Sequence, residues 1–130
     1  MSDPKNDLVN YRIQRAYEAL EDVRILADAG RWNTSVNRLY YACFYAVSAL
    51  LIKEGLSSFK HSGVRSLFNR HYVKAGKVPR EMAQIYNDLF ERRQESDYLD
   101  FIRFDQSQVH AWIPKVQEFI KLVETIIKSL

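Results

Sequence analysis

The segment ERRQESDY places Arg92, Arg93, Asp97 and Tyr98 within two helical turns of one another. Two guanidinium forks in such a setting bind phosphate bidentately and stabilise charge that grows on a phosphoryl oxygen. A second polar set, Asn37, Arg38 and Tyr41, lies in the stretch RWNTSVNRLYYACFYAVSALLIKEG. If the two sets face each other, they make a small polar pocket of cations and hydrogen-bond donors, suited to a nucleotide or an RNA backbone. The plainer reading of Arg93 and Asp97 is structural. They stand at i and i+4, the spacing of an ion pair that closes the end of a helix. Such a pair contributes a few tenths of a kcal/mol when exposed, and its truncation costs about 3 to 5 kcal/mol when it is buried.

The histidines form no ligand set. His61, in the turn SFKHSG, either caps the next helix, the simpler role, or reaches toward a pocket. Arg65 and His71 are a second Arg and His pair, but His71 falls on an inward stripe and reads as core packing. His110 lies opposite the stripe of its helix and reads as solvated. The lone Cys43 sits on an apolar stripe, which excludes an intramolecular disulfide and predicts a buried packing thiol. One Cys and three scattered His give no pair at a metal-binding spacing, so neither a metal nor another cofactor is expected.

Five helices are needed to position these groups. The first spans about Lys5 to Ala29, with Val9, Ile13, Ala16, Tyr17, Leu20, Val23 and Ala27 inward and Gly30 as its stop. The second runs within Arg31 to Gly55, with Asn33, Thr34 or Ser35 as its N-cap. One apolar series on it comprises Trp32, Val36, Leu39, Tyr40, Cys43, Phe44, Val47, Leu50 and Leu51. A second comprises Tyr41, Tyr45, Ser48 and Ile52, so this helix is central and needs partners on two sides. A short third helix covers Val64 to Lys74, with Val64, Leu67, Phe68, His71 and Tyr72 inward and Gly76 as its end. Pro79 opens the fourth, whose inward set of Met82, Ile85, Tyr86, Leu89 and Phe90 is prolonged by Arg93 and Asp97. The pattern breaks at LDFIRF. Asp105 then caps a fifth helix carrying Val109, Trp112, Ile113, Val116, Ile120, Val123 and Ile127, which Pro114 either kinks or truly begins.

These stripes and short turns predict an all-α fold, an antiparallel bundle of four to five helices forming a single domain over residues 1–130. With 47% apolar and 13% aromatic residues the chain has material for a core, and four glycines and three prolines are too few for a turn-rich β protein. Nineteen Lys and Arg against sixteen Asp and Glu give +3, a mild basic excess compatible with a nucleic-acid partner but not demanding one. The start MSDPKNDLVNYR has no signal pattern, and no apolar run is long enough to span a bilayer. A cytoplasmic protein away from the membrane is expected.

Three segments in order, LYYACFYAVSALL, KHSGVRSLFNRHYV and ERRQESDY, together resemble the HEPN family, specifically its small stand-alone prokaryotic branch. The likeness covers about Ala29 to Tyr98. It implies a helical bundle, a homodimer, and a frequent pairing with a minimal nucleotidyltransferase. Many toxin and defence members of that family cleave RNA without a metal, using an Arg and a His four to six residues apart. There the ribose 2′-hydroxyl attacks the adjacent phosphate while Arg holds the phosphate and His moves a proton. In this sequence the position due for His, counted from Arg92 or Arg93, holds Asp97 or Tyr98. A carboxylate, which titrates near about 4, is a poor general acid at neutral pH unless burial shifts it.

The resemblance therefore supports three readings. In the first the chain is a toxin or RNA- or nucleotide-binding module, with Arg92, Arg93, Asp97 and Tyr98 set against Asn37, Arg38, Tyr41 and His61. In the second it is a non-catalytic dimeric interaction protein. In the third it is a substrate-binding accessory of a nucleotidyltransferase, the kind of protein that the first reading takes as its antitoxin.

Overall fold

Each helix begins and ends where local chemistry stops the chain from continuing. The computed structural model describes residues 3–130; Met1 and Ser2 of the expected domain lie outside the described residues. Helix α1 spans Pro4–Asp28, with Pro4 in its first turn and the Asp3 carboxylate accepting from the Lys5 N–H at 2.9 Å. Gly30, at φ 71°, makes the turn that sends α2, Trp32–Lys53, back along α1. Helices α3, α4 and α5 span His61–Phe68, Arg80–Tyr98 and Gln106–Lys128. No strand occurs among the described residues.

Helix α2 packs against all four of the others, as its two apolar series require. Leu39, Tyr40, Cys43, Val47 and Leu50 on one side, and Ala42, Ala46 and Ala49 on another, are fully enclosed. The alanines let α1 approach closely. Around this axis Val23 of α1, Phe68 of α3, Leu89 of α4, and Phe119, Ile120 and Val123 of α5 complete one core. Burial also raises the pKa of the Cys43 thiol, in keeping with a packing role. No helix among the described residues is long and apolar enough to cross a membrane.

Four sequence expectations need correction. The N-cap of α2 is Arg31, and neither Asn33, Thr34 nor Ser35 caps it. Asn33 is diverted into a tertiary tie: its Nδ2 donates to the Ile102 carbonyl and its Oδ1 accepts from the Phe104 N–H, both at 2.9 Å, pinning the α4–α5 connection. The third helix starts at His61 rather than Val64, and its last turn, Asn69–Val73, is wound as a π-helix. The added residue turns His71 off the inward stripe, leaving it half-buried beside Glu54, Leu56 and Lys77 and away from Arg65. Phe44 is half-buried and belongs with the aromatic face of α2 rather than the closed core. Pro114 does not begin α5, which runs through it from Gln106. The Asp105 and Gln108 capping box, with bonds of 2.9 and 3.0 Å, sets the start eight residues earlier.

Candidate functional site

The aromatic face of α2 is where the polar groups of three helices meet. Tyr40 and Tyr41 are adjacent in sequence but point differently, one into the core and one to its edge. The Arg93 guanidinium of α4 lies over the Tyr40 ring at 4.5 Å from its centroid and also stands 5.9 Å from Tyr41. From the other flank Arg38 covers Tyr41 at 4.9 Å. Two cations thus share one phenol ring, held by attraction to the faces of the π systems. Asn37 accepts a long 3.4 Å hydrogen bond from Arg38.

Among the described residues one carboxylate enters this group. Arg93 Nη1 donates to Asp97 Oδ2 at 3.0 Å, the i to i+4 pair expected from the sequence. The Arg93 side chain is 15% exposed and Asp97 is 43% exposed, so the pair bridges the core edge to solvent. The Arg93 Nε–H is buried and has no hydrogen-bond partner among the described residues. Arg12 and Arg92 have the same enclosed, unpaired Nε–H, so the donor that sets Arg93 apart is its Nη2, which makes no hydrogen bond among the described residues.

His61 completes the group, and its capping role is overturned. The N-cap of α3 is Lys60, and His61, as the first helical residue, turns its ring inward. It stacks on Phe44 with centroids 4.3 Å apart and planes within 7°, and its Nδ1 lies 2.8 Å from the Tyr40 hydroxyl. The arrangement that leaves no buried donor unmet has the Tyr40 O–H donating to Nδ1. The ring proton then sits on Nε2, which makes no hydrogen bond among the described residues. Burial, reinforced by the positive charge of Arg93, lowers the His61 pKa and favours the neutral ring. Burial likewise raises the Tyr40 pKa, while Arg93 opposes that shift, and the phenol stays protonated.

The local fold explains how His61 arrives there. Gly63, one turn into α3, has no Cβ, and any Cβ built on it would run into the Ser58 side chain. Ser58 Oγ in turn accepts from the Lys60 N–H at 3.3 Å. The H-S-G turn is thereby drawn close against its own loop, and the imidazole is delivered onto Phe44.

The structure thus brings together Asn37, Arg38, Tyr41, His61, Arg93 and Asp97. It directs two other sequence candidates elsewhere. Arg92 pairs with Glu95 at 2.8 Å, and Tyr98, 80% exposed, ends α4 outside the cluster. Tyr40 and Phe44 were read as core and missed as site residues. The available signal was the hydroxyl on Tyr40, since a buried phenol requires a partner. Two grooves lie away from the cluster: one of about 550 Å³ between α4 and α5, and one of about 640 Å³ between α3 and α4.

Comparison with known proteins matches residues 9–126 to the model of the HEPN domain. A UPF0332 protein of Thermotoga maritima is 44% identical over 97% of this chain and 96% of its own. A UPF0332 protein of Gloeobacter violaceus is 40% identical over 75% of each chain. A protein of Methanocaldococcus jannaschii that bears the name "Putative toxin" is 29% identical over 83% of this chain and 74% of its own.

Proposed function

The chain belongs to the HEPN family, and from that premise we propose that it is a cytoplasmic, dimeric toxin-type module that binds RNA or a nucleotide at the Arg93 cluster. Its partner in this reading is a minimal nucleotidyltransferase acting as antitoxin. The supporting observation is the Arg93 guanidinium, fixed over Tyr40 and held by Asp97 through Nη1, while its Nη2 makes no hydrogen bond among the described residues. A phosphate oxygen is the acceptor that a constrained cationic fork suits best. Arg38, over the same Tyr41 ring and without a carboxylate of its own among the described ion pairs, adds the second charge. The toxin name of the M. jannaschii relative supports the same class.

His61 decides between binding and cleavage. No His follows Arg93 along α4, but one is brought near it from α3, neutral and with a ring N–H on Nε2 free to donate to a phosphate oxygen. That tautomer assists binding directly. Cleavage needs the other one, in which Nε2 accepts the 2′-hydroxyl proton as the oxygen attacks phosphorus. The P–O5′ bond then breaks, and the 5′-oxygen leaves with a proton from water, giving a 2′,3′-cyclic phosphate. That exchange of tautomer turns an Nδ1–H toward the Tyr40 oxygen and leaves the enclosed Tyr40 O–H unpaired, a cost that weighs toward binding.

Incubation of purified protein with mixed RNA in EDTA tests this, comparing wild type with Arg93→Ala, Asp97→Ala and His61→Gln. Loss of cleavage in folded Arg93→Ala and His61→Gln supports the nuclease. Binding by calorimetry that disappears in Arg93→Ala, without cleavage by any form, supports the non-catalytic or accessory reading. Unfolding of both Arg93→Ala and Asp97→Ala means that the pair is a structural bridge, and absence of RNA and nucleotide binding by wild type ends the proposal.

A further inference from the structure

The groove between α3 and α4 concentrates positive charge that the composition spreads thinly. Arg65 and Arg70 from the α3 segment, Lys74 just after it and Arg80 at the start of α4 line its volume of about 640 Å³, and no carboxylate does among the described residues. Arg65 is engaged by Glu91 at 2.9 Å. Arg70, Lys74 and Arg80 are exposed and have no ion-pair partner among the described residues. In a chain whose formal charge is only +3, three free cations around one concavity make a local positive field that low-dielectric walls focus.

The groove also has a neutral polar lining. Asn69 and Asn87 exchange amide hydrogen bonds at 3.0 and 3.3 Å, and Asn87 donates again to the Ala83 carbonyl. Among the described residues no aromatic side chain lines it, so it offers charge and hydrogen bonds but no surface on which a base stacks. That chemistry suits a sugar–phosphate backbone contacted without regard to sequence.

Arg65 joins this groove to the Arg93 cluster. Its guanidinium lies 3.8 Å from the Phe90 ring centroid, and Phe90 meets Tyr40 edge-on at 6.1 Å, beneath Arg93. From Arg80 to Arg93 is about 20 Å along α4 at the helical rise. A flexible strand crossing the cluster needs only a few nucleotides to cover that length.

We infer that the α3–α4 groove holds the backbone of a single-stranded RNA a few nucleotides away from the phosphate at Arg93. This rests on the reading of the Arg93 cluster given above, and extends it from one phosphate to a tract. Single-stranded rather than duplex RNA follows from the cluster, where a sugar and phosphate must approach a ring-lined edge with the bases splayed.

The test measures fluorescence anisotropy of a labelled oligouridylate long enough to span both sites, and calorimetric binding of the dinucleotide UpU. Wild type is compared with the triple variant Arg70→Gln, Lys74→Gln, Arg80→Gln and with Arg93→Gln, each verified as folded by circular dichroism. The triple variant is expected to bind the oligouridylate at least about 10-fold more weakly. Its salt slope falls by about 2, at about 0.7 for each single-strand phosphate that the groove no longer neutralises, while UpU binding is unchanged. Equal oligouridylate affinity in wild type and the triple variant overturns the groove. The Arg93 reading survives that result if Arg93→Gln weakens both probes. If the triple variant weakens oligouridylate binding and Arg93→Gln changes neither probe, the groove stands and the Arg93 reading fails. Displacement of the RNA by poly-L-glutamate at equal charge concentration means an acidic polypeptide is the natural occupant, and overturns the inference. Absence of binding of either probe to wild type overturns both.

Discussion

At the scale of single residues, the Arg93 cluster is a problem of charge held at the edge of a core. Arg93 is mostly covered, yet among the described residues its one carboxylate partner is the partly exposed Asp97. The aromatic rings of Tyr40 and Tyr41 supply the remaining compensation. His61 feels this excess of positive charge. Both burial and Arg93 favour its neutral form, so the folded protein binds its proton less readily than the unfolded chain does. The sign follows from linkage: between the depressed folded pKa and the ordinary value of about 6.5, the unfolded state carries more protons and stability rises with pH. Stability conferred by neutral His61 is therefore complete above about 6.5 and is lost as pH falls through the folded pKa. Urea unfolding from about pH 8 to about pH 5 should show a steeper loss for wild type than for His61→Gln. In an NMR titration Arg93→Gln should move the His61 transition upward, toward the ordinary value, because one of its two depressing causes is gone. An unmoved transition would mean that the two groups do not sense each other. Tyr17, at the far side of the bundle, provides a contrast that leaves this site untouched. Its pKa is pushed up to about 12 by burial and by donation to Glu124 at 2.8 Å, well above any pH in that experiment.

At the scale of elements, the sequence disclosed the helices better than their joints. Three- and four-residue spacing identified Val9, Ala16, Leu20 and Val23 on α1, and Val109, Val116, Ile120, Val123 and Ile127 on α5, all of which are buried. The same periodicity missed Phe119, which is enclosed because Phe68 and Tyr86 press on α5 from a second side. It also could not register the π-wound turn at Asn69–Val73, since one additional residue shifts the phase of a stripe without changing its composition. The α2 cap was misplaced for another reason: Asn33 has good capping chemistry, but two backbone groups 69 and 71 residues away claim its amide. Two pieces of the candidate cluster could be read locally: Arg93 and Asp97, one turn apart on α4, and Asn37, Arg38 and Tyr41, within two turns of α2. The remaining member, His61, depends on the turn that carries it. Gly63→Ala tests that turn. A methyl group there meets both Ser58 side-chain atoms, including Cβ at 2.9 Å, so rotation of the hydroxyl alone gives no relief. Overpacking of this kind costs about 1 to 3 kcal/mol. The expected result is a lowered urea midpoint, together with loss of the chemical-shift signature of His61 stacked on Phe44. Adding Ser58→Gly should restore most of both. If Gly63→Ala behaves as wild type, the close approach of the loop to α3 is not what places the imidazole.

At the scale of the whole molecule, the central position of α2 creates an asymmetry that one copy of the chain does not resolve. Its inner faces are closed by α1, α4 and α5, whereas Tyr41, Phe44, Tyr45 and Ser48 remain half-buried. That strip is bordered by cations: Arg38 and Arg93 at Tyr41, and Arg12 and Arg15 over Tyr45 at 6.0 and 5.2 Å. Arg15 also donates to the Tyr45 hydroxyl at 3.2 Å, a bond that raises its own pKa. An aromatic centre rimmed by charge is the layout of a protein interface. It is the surface on which the proposed homodimer would form. Tyr45→Glu examines this without attacking the core, because a carboxylate at that position can pair with Arg12 or Arg15 and Tyr45 is not among the closed core residues. In a two-fold dimer each substitution occurs twice, so two carboxylates, even when paired with arginine, must give up their hydration on association, a cost absent from the wild-type phenols. Sedimentation equilibrium should therefore show wild type as a dimer and Tyr45→Glu as a folded monomer. If the interface also completes the RNA site, oligouridylate affinity falls in step with dimer dissociation. A Tyr45→Glu protein that remains dimeric would place the contact on another face, and a monomeric wild type would leave the aromatic strip as a surface for the nucleotidyltransferase partner.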